Sequence, residues 1–591
     1  MKVVHALGKK EVSKDSEENI GFLLANKNNG YCFLSNHFSS RYEGIFFNEN
    51  GIMFKVIEDV ILKGQIRKVV NHGSYVEREK DTNTEKFFMF DKLNTFVYEL
   101  KNKDWIEVLL DIRGSYDMRN FGRFYNIFEE NGKIIVEYVK KTNPSEDSEP
   151  DKVEFTNYLV IGSKDYEMAK IENWVPRFYE FDKTRDSGHW ERFVFHAFNL
   201  EGKEFVFSFS IDKSKAIKEN NYVLKNMKKL KALQERNVKK LLTKKLKDEK
   251  INTAYKNAII SLNEMATDKG LIGGYPWFFQ YWTRDELISL KALMMINDYK
   301  LTKYIILRDV NSLLPNGRLP NRFPDTDLQN ADSIGWLYFR VNEYMQKKRD
   351  LNKNIIKRLE ENAHVLIKKF TKDGFAFNNA LETWMDTQEI SDGRDGVRLE
   401  MQALRLSMFR FLSKYDKIYG ESERILREKV RLAFWDGNIL NDGLNDRTLR
   451  PNAFIVYYLY PELLNKKEWE ICFENLLRNL WLDWGGLSSI DKKSPLFHER
   501  HTGANYKSYH MGDSWYFLNN LAALVMNRLN KRKFNNYIKK IVEASTDEIL
   551  WHGIIGKHAE ISSAIEQGSL GCKDQLWSNA MYIEMIKEIY K

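Results

Sequence analysis

Cysteine is scarce in this sequence. Only Cys32, Cys472 and Cys572 occur in 591 residues. They stand too far apart for a CxxC pair or a zinc-ligand spacing, which argues against a disulfide framework or a structural metal cluster. Long apolar runs are missing as well. No stretch reaches the roughly 20 residues needed to cross a bilayer without charges. The start, MKVVHALGKKEVSKDSEENI, lacks the apolar core of a signal peptide. The expectation is a cytoplasmic protein with reduced thiols and no membrane partner. HExxH, a glycine-rich phosphate loop and a dinucleotide fingerprint are absent too, so no metal or other cofactor is expected. Nor is charge of one sign gathered anywhere decisive. The 92 basic and 83 acidic residues give +9, spread along the chain, and nucleic acid is not an expected partner. The densest basic run, residues 224–250, carries Leu224, Met227, Leu230, Leu233, Val238, Leu241 and Leu242 at helical spacing. We read it as a helix with one packed face and a lysine-rich solvated face rather than as a polyanion site.

What the chain does have is length and aromatic side chains, 14% of it, suited to large cores and to sugar-stacking clefts alike. At this length more than one domain is expected. Up to about residue 215, β-rich runs such as IFFNENGIMFKVI, KIIVEYV and EFVFSFSI are separated by Asn, Gly and Asp turns, the pattern of an antiparallel β-sandwich. Residues 216–251 read as a helical linker. From 252 to 591 apolar residues recur at three and four spacing, as in RDELISLKALMMI and LNNLAALVMNRL. Helices of ~10–14 residues with short connections would number about a dozen there. Twelve is the number that closes an (α/α)6 barrel, so the class is α+β, a sandwich followed by a helical barrel.

Two loops carry chemistry. In LETWMD, residues 381–386, Asp386 directly follows Trp384 and Met385. A buried carboxyl must be paired, hydrogen-bonded or kept protonated, and one held neutral by an apolar wall can serve as a general acid. In GGYPWFFQYWTRDE, residues 273–286, Tyr275, Trp277 and Trp282 accompany Arg284 and Asp285 at a helix start. Asp285 is either an N-cap or half of a polar clamp beside an aromatic wall.

These loops, together with GRLPNRF, NADSIGWLYF, RDGVRLEMQAL, LRPNAF, YHMGDSW, GIIGKHAE and GCKDQLWS, occur in the order found in the glucosidase portion of glycogen debranching enzymes, the amylo-α-1,6-glucosidase type, which this sequence resembles. The resemblance spans the helical half, and GFLLANKNNGYCFLSNHFSSRYEGIFF resembles the opening of the β-rich domain that precedes the barrel in that family. It implies an active site in the barrel mouth and inverting hydrolysis by two carboxyl groups, with Asp386 as general acid and Glu560 as general base. It gives Arg284 and Asp285 the terminal glucose. Trp277, Trp282 and Trp336 are stacking platforms or core. Asp332 contacts sugar or caps its helix, and Arg394 with Glu400 lines a subsite or forms an internal ion pair. Tyr275, Trp384, His510, Trp515, Gln575 and Trp577 complete the walls. The sequence departs from the family's WGRDT at Thr283 and Glu286 and from its LPE at His558 and Ala559.

The substrate expected is an α-glucan or malto-oligosaccharide. The chain shows no second barrel of the glucanotransferase type, so a separate protein would shorten the branch first. A glucoamylase-like α-1,4-glucosidase or a small-glucoside hydrolase is the alternative, and a non-catalytic glycan-binding protein is the alternative of another class.

Overall fold

The computed structural model describes residues 1–8, 10–142, 154–242, 246–324, 328–386 and 393–590. They divide into two compact units, residues 1–267 with 549–557, and residues 268–548 with 558–591. The helix over Glu249–Met265 and the segment 549–557, which the sequence pattern puts with the helical half, thus group with the β-rich part.

In the first unit fifteen strands join in one hydrogen-bonded sheet network. It is not wholly antiparallel. Lys2–His5 runs parallel to Ile66–Asn71 while pairing antiparallel with Val12–Asp15. Its spine is two 20-residue strands, Thr95–Gly114 and Glu191–Ser210, paired antiparallel with bulges. Sequence dictates the hairpins locally. Asn131-Gly132 turns between paired Glu130 and Lys133 with both φ positive, 51° and 71°, the two-residue turn that matches strand twist. Asn50-Gly51 does the same between Glu49 and Ile52. A short helix, α1 (Glu180–Thr184), precedes the last strand, and α2 (Lys213–Leu241) follows it, capped by Asp212. Val223 and Met227 of α2 pack with Phe88, Phe90, Val97 and Val206 of the sheet, so this basic helix is an amphipathic part of the unit's core. Of the apolar residues at helical spacing, Leu224, Met227 and Leu230 lie on this packed face, whereas Leu233 is exposed. α3 (Glu249–Met265) begins on its own cap, Asp248.

The helices of the second unit are α4 (Thr283–Met295), α5 (Tyr299–Asn311), α6 (Ser333–Lys347), α7 (Lys353–Lys369), α8 (Leu399–Leu412), α9 (Ile418–Phe434), α10 (Asn452–Leu459), α11 (Lys466–Leu480), α12 (Tyr516–Asn530), α13 (Asn535–Trp551, whose last residues belong to the first unit) and α14 (Leu576–Ile589). They fall into two kinds. α4, α6, α8, α10, α12 and α14 are buried nearly all round, whereas α7, α9 and α11 bury one stripe. A helix apolar all round must be enclosed, and one with a stripe must cover it. The packing agrees. α4 packs on α6, α6 on α8, α8 on α10, α10 on α12, α12 on α14, and α14 back on α4, which closes a cycle.

Two-residue β-pairs tie down the segments that enter this cycle: Gly274–Tyr275 with Asp574–Gln575, Tyr281–Trp282 with Arg322–Phe323, and Ser514–Trp515 with Ile561–Ser562. The three cysteines are buried free thiols. Among the described residues, no helix is long and apolar enough to cross a membrane and no residue group could hold a metal ion.

Candidate active site

The chemistry-bearing side chains cluster at the N-terminal ends of the enclosed helices. Arg284 and Asp285 are the second and third residues of α4, Asp332 stands at the N-cap of α6, Glu400 is second in α8, and Asn452 opens α10. Trp515 and Gln575 stand at the N-caps of α12 and α14. Asp332 makes no capping hydrogen bond. Its carboxylate instead accepts from Arg284 Nε at 2.8 and 3.0 Å. Asp285 is inside the helix, not its cap, and accepts from Gln575 Nε2 at 2.9 Å. Neither acid is the plain cap that its position in sequence allows.

The loop carrying Asp386 is anchored at successive residues. Arg318 donates to the Glu382 carboxylate, Arg394 to Thr383 Oγ1 at 3.0 Å, and Trp384 Nε1 to Asn452 Oδ1 at 2.9 Å. Arg394 also pairs with Glu400 at 2.7 Å and Asp442 at 2.9 Å, and Asn452 donates to Asp442 at 2.7 Å. Arg394 and Glu400 therefore form a buried internal ion pair that supports the loop. Trp384 lies in an aromatic box, edge-on to His510, Trp515 and Phe517. Side chains held this way keep a catalytic loop in one geometry.

The two candidate catalytic carboxyls meet adjacent residues of one segment. Tyr509 donates its hydroxyl to Glu560 Oε1, and His510 Nε2 lies 3.8 Å from Asp386 Oδ1, beyond hydrogen-bond distance. The backbone N–H of Cys572 completes the Glu560 site, donating to Oε2 at 2.9 Å. That approach needs Gly571, in the left-handed region at φ +63°, where a Cβ would overlap Glu560 Oε2. Burial and the neighbouring Glu560 push the Tyr509 phenol well above its usual range, which keeps it a donor. Glu560 is 3% exposed.

Asp386 differs from expectation. Trp384 and Met385 are buried, but the Asp386 side chain is 38% exposed and accepts from Arg284 Nη1 at 2.9 Å. Enclosure raises its carboxyl, yet His510 and Arg284 outweigh that and hold it below the usual carboxylate range. Among the described residues no apolar wall encloses it. The acid that is pushed well above its usual range is Asp285, by burial with Glu560 and Asp386 nearby and despite Arg284. Burial also lowers the His510 imidazole, against the opposing pull of Asp386.

The remaining residues sort by burial. Trp336, 3% exposed, packs against Phe339 and Tyr458 as core. Trp515 stacks on His510 at 4.9 Å and Trp577 on Phe517 at 4.4 Å, both behind the site. Tyr275 is fully buried, with its backbone paired to Asp574. Trp277 and Trp282 are half-buried, and Arg322 lies over the Trp282 ring. Those two remain open to a sugar face. Lys557 and His558, neighbours of Glu560 in sequence, contact Glu264 and Glu548 instead. The departures from the family pattern are supporting residues as well. Thr283 Oγ1 donates to the Pro320 carbonyl at 2.6 Å, and Glu286 pairs with Arg308 at 2.6 Å. Sequence reading passed over Tyr509, although it sits directly before His510 in the YHMGDSW block.

A family model described as "Amylo-alpha-1,6-glucosidase" matches residues 253–584, more than half of the chain and the stretch that carries every residue of this site. The protein is a glycoside hydrolase. It belongs to the amylo-alpha-1,6-glucosidase family. Among solved structures, a bacterial glucoamylase complexed with acarbose is similar at 13% identity, with 98% of this chain and 96% of that chain covered and a TM-score of 0.61. That likeness is one of fold. A glycosidase in complex with glucose is similar at 12% identity, 58% and 99% coverage and a TM-score of 0.46. A GH63 mannosylglycerate hydrolase from Thermus thermophilus is similar at 12%, 56% and 99%, and 0.42. No curated protein matches the sequence.

Proposed function

We propose that this chain is an exo-acting, inverting α-glucosidase that releases glucose from α-1,6-linked branch stubs of glycogen-like glucans. Asp386 is the general acid and Glu560 the general base. The observation that supports this reading is the Tyr509–His510 pair, since the Tyr509 hydroxyl donates to Glu560 and His510 lies 3.8 Å from Asp386. The closed cycle of enclosed helices supports an (α/α)6 barrel, with its mouth at the helix N-termini.

In this mechanism Asp386 gives a proton to the glycosidic oxygen as the bond from C1 breaks. Glu560 takes a proton from the water that attacks C1 on the opposite face, and the product is β-glucose. Arg284 and Asp285 hold the terminal sugar. As sugar hydroxyls take up Arg284 and bound substrate removes water from the exposed part of Asp386, both changes raise the Asp386 pKa, so the acid gains its proton when substrate is present. A separate glucanotransferase would supply the one-glucose stub.

A digest of panose, isomaltose, maltose and a stubbed limit dextrin, resolved by chromatography, tests the linkage. Glucose from the limit dextrin and isomaltose ahead of maltose supports the proposal. Faster release from maltose would replace it with an α-1,4-glucosidase, and no release from any of the four would point to a glycan-binding protein.

A further inference from the structure

Away from the carboxyl site, a cavity of about 30 Å3 lies between α6, α7 and α8, with room for about two water molecules. Its wall is apolar except for two guanidiniums, those of Arg318 and Arg405. Arg405 is 9% exposed. Its partners are all neutral: Thr371 Oγ1 at 3.1 Å and the carbonyls of Phe370 and Leu366 at 3.3 and 3.5 Å. Among the described residues no carboxylate pairs with it. Arg318 is 3% exposed, gives Nη1 to Glu382 and lies over the Phe370 ring at 3.8 Å. Its buried Nη2 finds no acceptor among the described residues. Two buried cations thus share one carboxylate, and a buried charge without a counter-charge is costly. Burial accordingly lowers the Arg405 guanidinium to about 10.

We propose that this cavity binds a small monovalent anion, of which chloride is the physiological example, between Arg405 and the free edge of Arg318. The size of the cavity and its apolar lining suit a weakly hydrated halide. A phosphate or sulfate would need more donors and more room than are present. Because Arg318 also holds Glu382, four residues before Asp386, an anion there would steady the loop that carries the acid.

Thermal unfolding of the full chain at constant ionic strength, with gluconate replaced stepwise by chloride or bromide, tests the site. We expect a saturable rise in Tm on the order of 2 °C, absent in Arg405→Met and retained at weaker affinity in Arg405→Lys. Bromide soaked into a crystal should give an anomalous peak inside the cavity. A wild-type Tm that does not saturate with halide, a response unchanged in Arg405→Met, or water alone in the bromide-soaked cavity would overturn the proposal. If Arg405→Met fails to fold, the bromide peak and the lysine variant decide.

Discussion

Asp386 and Glu560 are both carboxyl groups of one site, yet they are held in opposite ways. Asp386 is partly exposed, on a loop, between two charged or chargeable neighbours, Arg284 and His510. Glu560 is buried, and its two oxygens accept from a phenol and from a peptide N–H. Charged neighbours can be drawn off by a ligand, whereas a peptide N–H fixed in the backbone cannot. The comparison separates a group whose protonation can be switched by substrate from one whose position is constant.

Removing either carboxyl tests the pair most severely. Asp386→Asn and Glu560→Gln should each lower kcat by about 10^3-fold or more, within the range of general acid–base contributions, with circular dichroism and Tm little changed. NMR of the wild-type reaction should show β-glucose first. Appearance of the α-anomer first, or a variant that keeps turnover, would break the assignment. Tyr509→Phe removes the hydroxyl from Glu560 alone. A hydrogen bond to a charged group is worth about 1.5–3 kcal/mol, so kcat/KM should fall roughly 10- to 100-fold. An unchanged rate would mean that the phenol does not position the base.

Asp285→Asn sharpens the contrast from a third side. Burial pushes the Asp285 carboxyl well above its usual range, toward the form that an amide mimics, so the loss should be about tenfold, well below that of Asp386→Asn. A loss as large as the acid's would show that Asp285 works ionised. The smallest effect expected is in pH dependence. Asp386 is depressed in the free protein, so its ion pair contributes stability above the unfolded carboxyl pKa of about 3.9 and loses it as pH falls through the lower folded value. For catalysis the proton is needed, and substrate raises the pKa. The alkaline limb of kcat should therefore lie above that of kcat/KM. His510→Gln, by removing one depressing neighbour, should move the kcat/KM limb upward and narrow the gap. Coincident limbs in the wild type would refute substrate-driven protonation.

Much of this was legible in the sequence. The Asn-Gly turns announced their hairpins, and the apolar spacing announced the packed face of α2 at Leu224, Met227 and Leu230, though not at the exposed Leu233. The motif blocks brought Arg284, Asp285, Asp332, Gln575 and both catalytic candidates to one end of the helical unit. What sequence neighbours could not tell was the state of Asp386. Its apolar flank in LETWMD suggested a neutral acid, but its ionisation is set by Arg284, 102 residues earlier, and by His510 across the site. Lys557 and His558 misled in the same way, being close to Glu560 in sequence yet engaged elsewhere. Trp336 could not be told from a stacking platform because core and cleft tryptophans look alike until packing is known. The division of the chain, with 549–557 returned to the β-rich unit, leaves no local pattern to read.

Gly571 has a consequence for inheritance rather than for mechanism. Every missense change at a glycine codon adds a Cβ. At this position the added atom meets both a left-handed backbone and the Glu560 carboxylate. Substitutions elsewhere in the segment can drift by degrees, but position 571 offers no intermediate step. In a population of descendant sequences a glycine at 571 should travel together with the glutamate at 560.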